Sequence, residues 1–176
     1  MPINYKLYVK EHPNMIGERP LRFYKNVTKL HNVKMIKPNY YDDPKPWIEN
    51  SLGVITITGS SALEAAMLQK PTIVFGHSLF NVISNIKHAK SFDDLRSLFK
   101  KIDNKEWEED NTLDCAAYIK TIKEEGISLN IFPLLEFSSK KLAGEPLSSN
   151  EESHLKELIK DLIKFYEKAI EKFTKN

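Results

Sequence analysis

The fold is decided by residues 54–76, VITITGSSALEAAMLQKPTIVFG, which predict a strand, a tight turn, a short helix and a second strand. Val54 to Thr58 is β-branched throughout, which is typical of a strand in a sheet that is buried on both faces. Gly59 permits a sharp turn, and Pro71 is expected to end the helix made by the alanine- and leucine-rich run between them. In such a βαβ unit the turn at 58–61 lies at the carboxyl end of a strand and the amino end of a helix. Free backbone N–H groups there favour an anion.

Sequence patterns on both sides of this βαβ unit predict further strands and helices. Further strands are predicted at 5–10, 32–36 and 86–88, and helices at 19–30, 47–51, 91–102, from about 107 or 112 to 125, and 155–173. Residues 127–147 contain Pro133, Gly144 and Pro146 and are predicted to be irregular. The alternation predicts an α/β fold, a doubly wound parallel sheet with additional carboxyl-terminal helices. We expect this α/β domain at 1–104 and a helical extension at 105–176.

The overall composition excludes several classes of protein. A chain of 176 residues suits one domain, or one domain with an appendage, and a formal net charge of +2 gives no global field for nucleic-acid binding. No run approaches the roughly 20 apolar residues that span a bilayer, and residues 1–6 lack the apolar core of a signal peptide. The single cysteine, Cys115, excludes an intrachain disulfide and is expected to be buried. We expect a cytoplasmic protein without a transmembrane segment.

Four loops are predicted to meet at the carboxyl edge of the sheet. They are His12-Pro13, Pro38-Asn39, Thr58-Gly-Ser-Ser61 and Gly76-His77, which follow the first four strands in turn. Open parallel sheets bind ligands along that edge.

Each candidate residue has a structural alternative. Ser61-Ala-Leu-Glu64 is a capping box, which would explain both residues without a ligand. The alternative is that Ser60 and Ser61 hold a phosphate while Glu64 accepts from the hydroxyls of a ribose. His12 is either a phosphate donor or an ordinary loop histidine.

Other charged residues carry weaker signals. Lys10 and Arg19 could add positive charge near His12. The remaining histidines, His31, His77, His88 and His154, show no metal-ligand spacing, so no metal site is predicted. The Gly-Ser-Ser sequence differs from the Gly-x-Ser-x-Gly elbow of hydrolases and does not favour nucleophilic hydrolysis.

Four motifs resemble a known family in their order and spacing. They are Val9-Lys-Glu-His-Pro13, Asn32-Val-Lys-Met-Ile-Lys-Pro38, Ile57-Thr-Gly-Ser-Ser-Ala-Leu-Glu-Ala-Ala66 and Lys70-Pro-Thr-Ile-Val-Phe-Gly76. Together they resemble the carboxyl-terminal half of capsule polysaccharide biosynthesis glycosyltransferases. These are GT-B enzymes and include transferases that use CMP-activated 3-deoxy-manno-octulosonate. The resemblance covers about residues 5–100.

The resemblance implies a Rossmann-like domain that binds the donor nucleotide, with a CMP-activated sugar as substrate and no cofactor or metal. By position, His12 and Pro13 would contact the nucleotide, Gly59, Ser60 and Ser61 would hold its phosphate, Glu64 would bind the ribose, and Pro38 and Asn39 would line the base. A polysaccharide or glycolipid would be the acceptor, at the inner face of the membrane.

GT-B enzymes have two such domains, and the other one supplies most of the catalytic groups. We therefore expect the chain to be a fragment, a split subunit or a degenerate module, inactive without an amino-terminal domain or partner chain. The amphipathic helix at 155–173 has balanced charges and is predicted to pack on protein. Two alternatives stay open: the corresponding half of a CDP-glycerol-type polyol-phosphate transferase, and a non-catalytic interaction module that docks through this helix.

Overall fold

A computed structural model of the chain describes residues 4–12, 19–36, 43–107, 110–126 and 132–174. Its strands are β1 (Leu7–Val9), β2 (Val33–Met35), β3 (Val54–Thr56), β4 (Thr72–Val74) and β5 (Ile86–His88). Its helices are α1 (Leu21–Thr28), α2 (Lys45–Glu49), α3 (Ser61–Met67), α4 (Phe92–Asp103), α5 (Thr112–Glu125), α6 (Phe132–Leu142) and α7 (Ser149–Thr174), with a 3₁₀ turn at Leu79–Val82.

All the strand pairs within the described residues are parallel, which confirms the α/β class. β1 pairs with β2, and β4 lies between β3 and β5, with Ile55 opposite Ile73 and Val74 opposite His88. The described strands thus form two hydrogen-bonded sheets, of two and three strands, where the sequence predicted one sheet. Each strand has only three paired residues, so the ladders are short.

The main core covers the three-stranded sheet. β4 is fully buried, and its Val74 contributes to a cluster with small residues of α3. The cluster consists of Ala62, Ala66, Val74, Ile83, Ile86 and Cys115. The sequence predicted burial on both faces for Val54 to Thr58, but β3 is only half-buried, so that prediction is not confirmed. The predicted burial of Cys115 is confirmed, and this burial raises the pKa of its thiol.

The sequence predicts that Pro71 ends α3, but the helix ends earlier in the chain. The helix ends at Met67, and Gln69 adopts a left-handed conformation with φ of +55°. The N–H groups of Gln69 and Lys70 then donate to the carbonyls of Ala66 and Ala65, both at 2.9 Å. This Schellman pattern ends the helix by satisfying its last carbonyls, before the proline is reached.

The prediction that residues 127–147 are irregular is wrong for most of the segment, because α6 spans Phe132–Leu142. Pro133 lies in the first turn, where its missing N–H removes no helical hydrogen bond. Gly144 follows the helix with φ of +77°, a conformation that glycine adopts without strain. Residues that are typical of helix breaks therefore mark the two ends of a helix.

The chain divides into two compact units, Met1–Tyr118 and Ile119–Asn176, with the division inside α5. In the first unit, the Tyr5 hydroxyl donates to Oδ1 of Asp103 at 2.6 Å and ties the approach to β1 to the end of α4. This hydrogen bond raises the pKa of Tyr5. In the second unit, α6 and α7 form a helical hairpin. Among the described residues, no helix is long and apolar enough to cross a membrane.

Candidate functional site

A tight turn connects β3 to α3. The Gly59 N–H donates to Oγ1 of Thr56 at 3.2 Å, and the Ala62 N–H donates to the Gly59 carbonyl at 3.0 Å. A Cβ on Gly59 would lie 2.8 Å from Thr56 Oγ1, closer than real Cβ atoms come. The φ of Gly59 is not in the left-handed region. Glycine is therefore needed here for the close approach of the Thr56 side chain and not for an unusual backbone conformation.

The predicted capping box at Ser61–Glu64 is not formed. Ser60 occupies the N-cap position with helical angles, φ −57° and ψ −21°, and no side chain accepts from the first-turn amides. An N-cap side chain needs an extended backbone to reach back to those amides, so the helical geometry of Ser60 prevents the bond. The Ser60 hydroxyl instead donates to Oε1 of Glu64 at 3.2 Å. The amino end of α3 is therefore left without a side-chain cap.

Gly76 brings the loop after β4 against this turn. The Phe75 N–H donates to the Thr56 carbonyl at 3.1 Å and the Gly76 N–H to the Ile57 carbonyl at 2.9 Å, so the ladder continues beyond the strands. A Cβ on Gly76 would lie 2.5 Å from Cγ2 of Thr58. The turn at 58–61 and the loop at Gly76–His77 are thus side by side at the carboxyl edge of the three-stranded sheet.

A histidine pair continues this edge. The rings of His77 and His88 meet edge to face with centroids 4.3 Å apart. Nε2 of His88 lies 3.1 Å from the Phe75 carbonyl, which can only accept, so Nε2–H is the donor. The sequence predicts His77 at this edge but not its contact with His88. The available signal was that the two histidines follow or end neighbouring parallel strands.

His12 is exposed and follows β1 in the two-stranded sheet. Among the described strands, this sheet shares no hydrogen-bonded pair with the sheet that carries the turn at 58–61. The preceding Glu11 side chain is 8% exposed; it accepts from the Tyr24 hydroxyl at 2.9 and 3.0 Å and pairs with Arg19 at 3.4 Å. The suggestion that Arg19 adds positive charge for a ligand is therefore not supported, because a buried carboxylate already neutralises that charge.

The predicted residues thus fall into three groups. Gly59, Ser60, Ser61 and Glu64 are together in the turn at α3, and His12 follows a strand of the other sheet. Pro13, Pro38 and Asn39 lie outside the described residues. No group of three or more histidine, cysteine or acidic side chains that could hold a metal occurs in the part of the chain that the structure describes.

Comparisons with protein-family models, with curated protein sequences and with solved structures find no match to this chain.

Proposed function

We propose that the first unit binds the nucleotide of an activated sugar, as the donor-binding half of a glycosyltransferase of surface polysaccharide synthesis. The observation that carries the proposal is the juxtaposition of the turn at 58–61 with Gly76–His77 at one edge of a parallel sheet. Parallel α/β sheets bind ligands at that edge, and first-turn amides with a helix dipole attract phosphate.

The absence of a side-chain cap on α3 supports a ligand role for this turn. The first-turn N–H groups of this helix have no serine hydroxyl to which they can donate, although the Ala62 N–H donates to the Gly59 carbonyl. A phosphate oxygen would accept from the Ser61 and Leu63 N–H groups, and the Ser60 hydroxyl could turn from Glu64 toward the phosphate. A CMP-activated sugar is the preferred donor because of the motif resemblance, and sugar transfer itself would need the catalytic groups that the family places on its other domain.

Isothermal titration of the full chain with CMP, CDP and UDP tests the proposal. We expect cytidine nucleotides to bind, and Ser60→Ala and Ser61→Ala to weaken binding by about tenfold, the loss of one hydrogen bond to a charged group. Ser148→Ala is the matched control. Ser148 accepts from the Glu151 N–H at 3.3 Å at the start of α7, so the control removes a real helix cap in the other unit and should leave affinity unchanged.

Failure to bind any of the three nucleotides, in a sample shown to be folded, would contradict the proposal. Preference for CDP over CMP together with turnover of CDP-glycerol by a two-domain assembly would favour the polyol-phosphate alternative. His12→Ala is expected to weaken binding without loss of stability, since His12 is exposed. Equal nucleotide affinity of the wild type and the His12→Ala variant would show that His12 is not part of the site.

A further inference from the structure

The long helix α7 carries two apolar stripes, where the sequence suggested one. Five side chains at alternating spacings of three and four residues are half-buried: Leu155, Leu158, Leu162, Phe165 and Ala169. Four others with the same alternation are exposed: Ile159 (43%), Ile163 (50%), Tyr166 (60%) and Ile170 (59%). We call the exposed four the outer stripe.

The outer stripe is narrow and straight. At 3.6 residues per turn, its four side chains fall within an arc of about 60°. Spacings of four, three and four residues are those of a coiled-coil seam. The ring contact of Phe137 with His154 and the ion pair of Lys140 with Glu151, which join α6 to α7, lie in the first two turns of α7 and precede the outer stripe.

The flanks of the outer stripe differ in chemistry. One flank carries exposed charges, with Lys156 and Lys160 in the amino-terminal half and Glu167 and Glu171 in the carboxyl-terminal half. The other flank is apolar and consists of the half-buried Leu155, Leu162 and Ala169. The charged flank therefore changes sign along its length.

Two copies of this helix face match each other in charge only when the helices are antiparallel. In an antiparallel pair of helices, Ile159 lies opposite Ile170 and Ile163 opposite Tyr166, and equivalent flanks face each other. The lysines of one copy then face the glutamates of the other. In a parallel pair, the charged flank would face the apolar flank, and both would be mismatched.

We infer that α7 mediates an antiparallel homodimer through the outer stripe, with Lys156 and Lys160 of one copy facing Glu171 and Glu167 of the second. A membrane surface fits less well, because the flanking charges balance where lipid binding needs a basic face. The interface is isologous, as expected for a twofold dimer. Four apolar side chains make a small contact, so the dimer forms reversibly with concentration. It does not depend on nucleotide binding.

Sedimentation equilibrium of the full chain over a range of concentrations tests this inference. We expect a monomer–dimer equilibrium that Ile163→Lys abolishes. Far-UV circular dichroism must show unchanged helix content, which the 50% exposure of Ile163 makes reasonable. A monomer at all concentrations would overturn the inference.

Charge reversal tests the orientation. Lys156→Glu with Lys160→Glu makes the flank wholly acidic, and Glu167→Lys with Glu171→Lys makes it wholly basic. Each double variant alone should dimerise about tenfold more weakly or worse, since four exposed pairs each worth up to about 1 kcal/mol become repulsive. Mixing the two variants should restore association, because an acidic flank then meets a basic one. Dimers that respond to neither reversal nor mixing would contradict the antiparallel arrangement.

Discussion

Oγ of Ser60 donates to Oε1 of Glu64 across 3.2 Å, so the two polar side chains at the start of α3 are joined to each other. An ionised carboxylate can accept several hydrogen bonds, which leaves Oε2 of Glu64 available to a ribose hydroxyl. In the proposed nucleotide site, Oε2 of Glu64 can therefore accept from the ribose whether Ser60 keeps its bond to Oε1 or turns to the phosphate.

Oε2 of Glu64 is expected to accept a hydrogen bond from a ribose hydroxyl of the nucleotide. We expect the wild-type chain to bind CMP about tenfold or more tightly than 2′-deoxy-CMP, since a hydrogen bond to a charged group contributes about 1.5–3 kcal/mol. Glu64→Ala should abolish the preference, whereas Ser60→Ala should keep it. Titration calorimetry with both nucleotides measures this. An unchanged preference in Glu64→Ala would exclude Glu64 from ribose binding.

The second prediction concerns the contact between the two loops of the site. Gly76→Ala would place a Cβ 2.5 Å from Cγ2 of Thr58 and 3.2 Å from the Ile57 carbonyl. We expect a loss of about 1–3 kcal/mol of unfolding free energy from this overpacking. Thr58→Ser removes Cγ2 and should recover part of the loss in the double variant. Urea unfolding followed by tryptophan fluorescence reports on the first unit, which contains both tryptophans. Simple additivity of the two substitutions would argue against the contact.

The third prediction concerns the end of α4. Lys105 has φ of +57°, and the N–H groups of Lys105 and Glu106 donate to the carbonyls of Ile102 and Lys101. Glycine adopts this conformation without the Cβ clash, so Lys105→Gly should raise the unfolding free energy by about 0.5–1 kcal/mol.

The matched control for that substitution is Gly144→Ala. Gly144 holds the same position after α6, and a Cβ there would meet nothing within 4 Å, so backbone strain is the only expected effect. Gly144→Ala should therefore destabilise the helical hairpin, as measured by far-UV circular dichroism. A destabilised Lys105→Gly would contradict this account of the α4 terminus.

The fourth prediction concerns acid sensitivity of the second unit. The hydrogen bond from Lys140, with two more from the backbone and hydroxyl of Ser148, lowers the pKa of Glu151 from 4.5 to about 2. Because the pKa is lower in the folded state, the stabilisation is fully present above pH 4.5 and is lost as the pH falls toward about 2.

Thermal unfolding followed by circular dichroism across that range measures the effect. Wild type should exceed Glu151→Gln in stability at neutral pH, and the difference should shrink between pH 4.5 and about 2. Glu152→Gln changes an exposed neighbour and should follow the wild-type profile. A difference that stays constant with pH would show that Glu151 acts through packing and not through its charge.

The regular elements could largely be predicted from the sequence, because β-branched runs and helical spacing mark them directly. Helix α6 could not, since Pro133 and Gly144 were interpreted as loop residues. The same two residues are typical of a first turn and of a left-handed helix end. To tell a loop from a helix here, one must know whether the residues between Pro133 and Gly144 are buried, as Phe137 is at 6% exposure.

The candidate site was predicted in part. The turn at 58–61 and its neighbour Gly76–His77 follow from strand order alone. The Ser60–Glu64 bond depends on backbone angles at Ser60, and the His77–His88 contact depends on the register between β4 and β5. Neither quantity can be read from residue types.

The most direct test of the proposed site is a titration of the ¹⁵N-labelled chain with CMP, followed by backbone amide chemical shifts. We expect saturable shifts concentrated at Gly59, Ser60 and Ser61, with smaller ones at Gly76 and His77, and no saturable change along α7. Absence of saturable shifts, or shifts confined to residues outside the first unit, would contradict the proposed site.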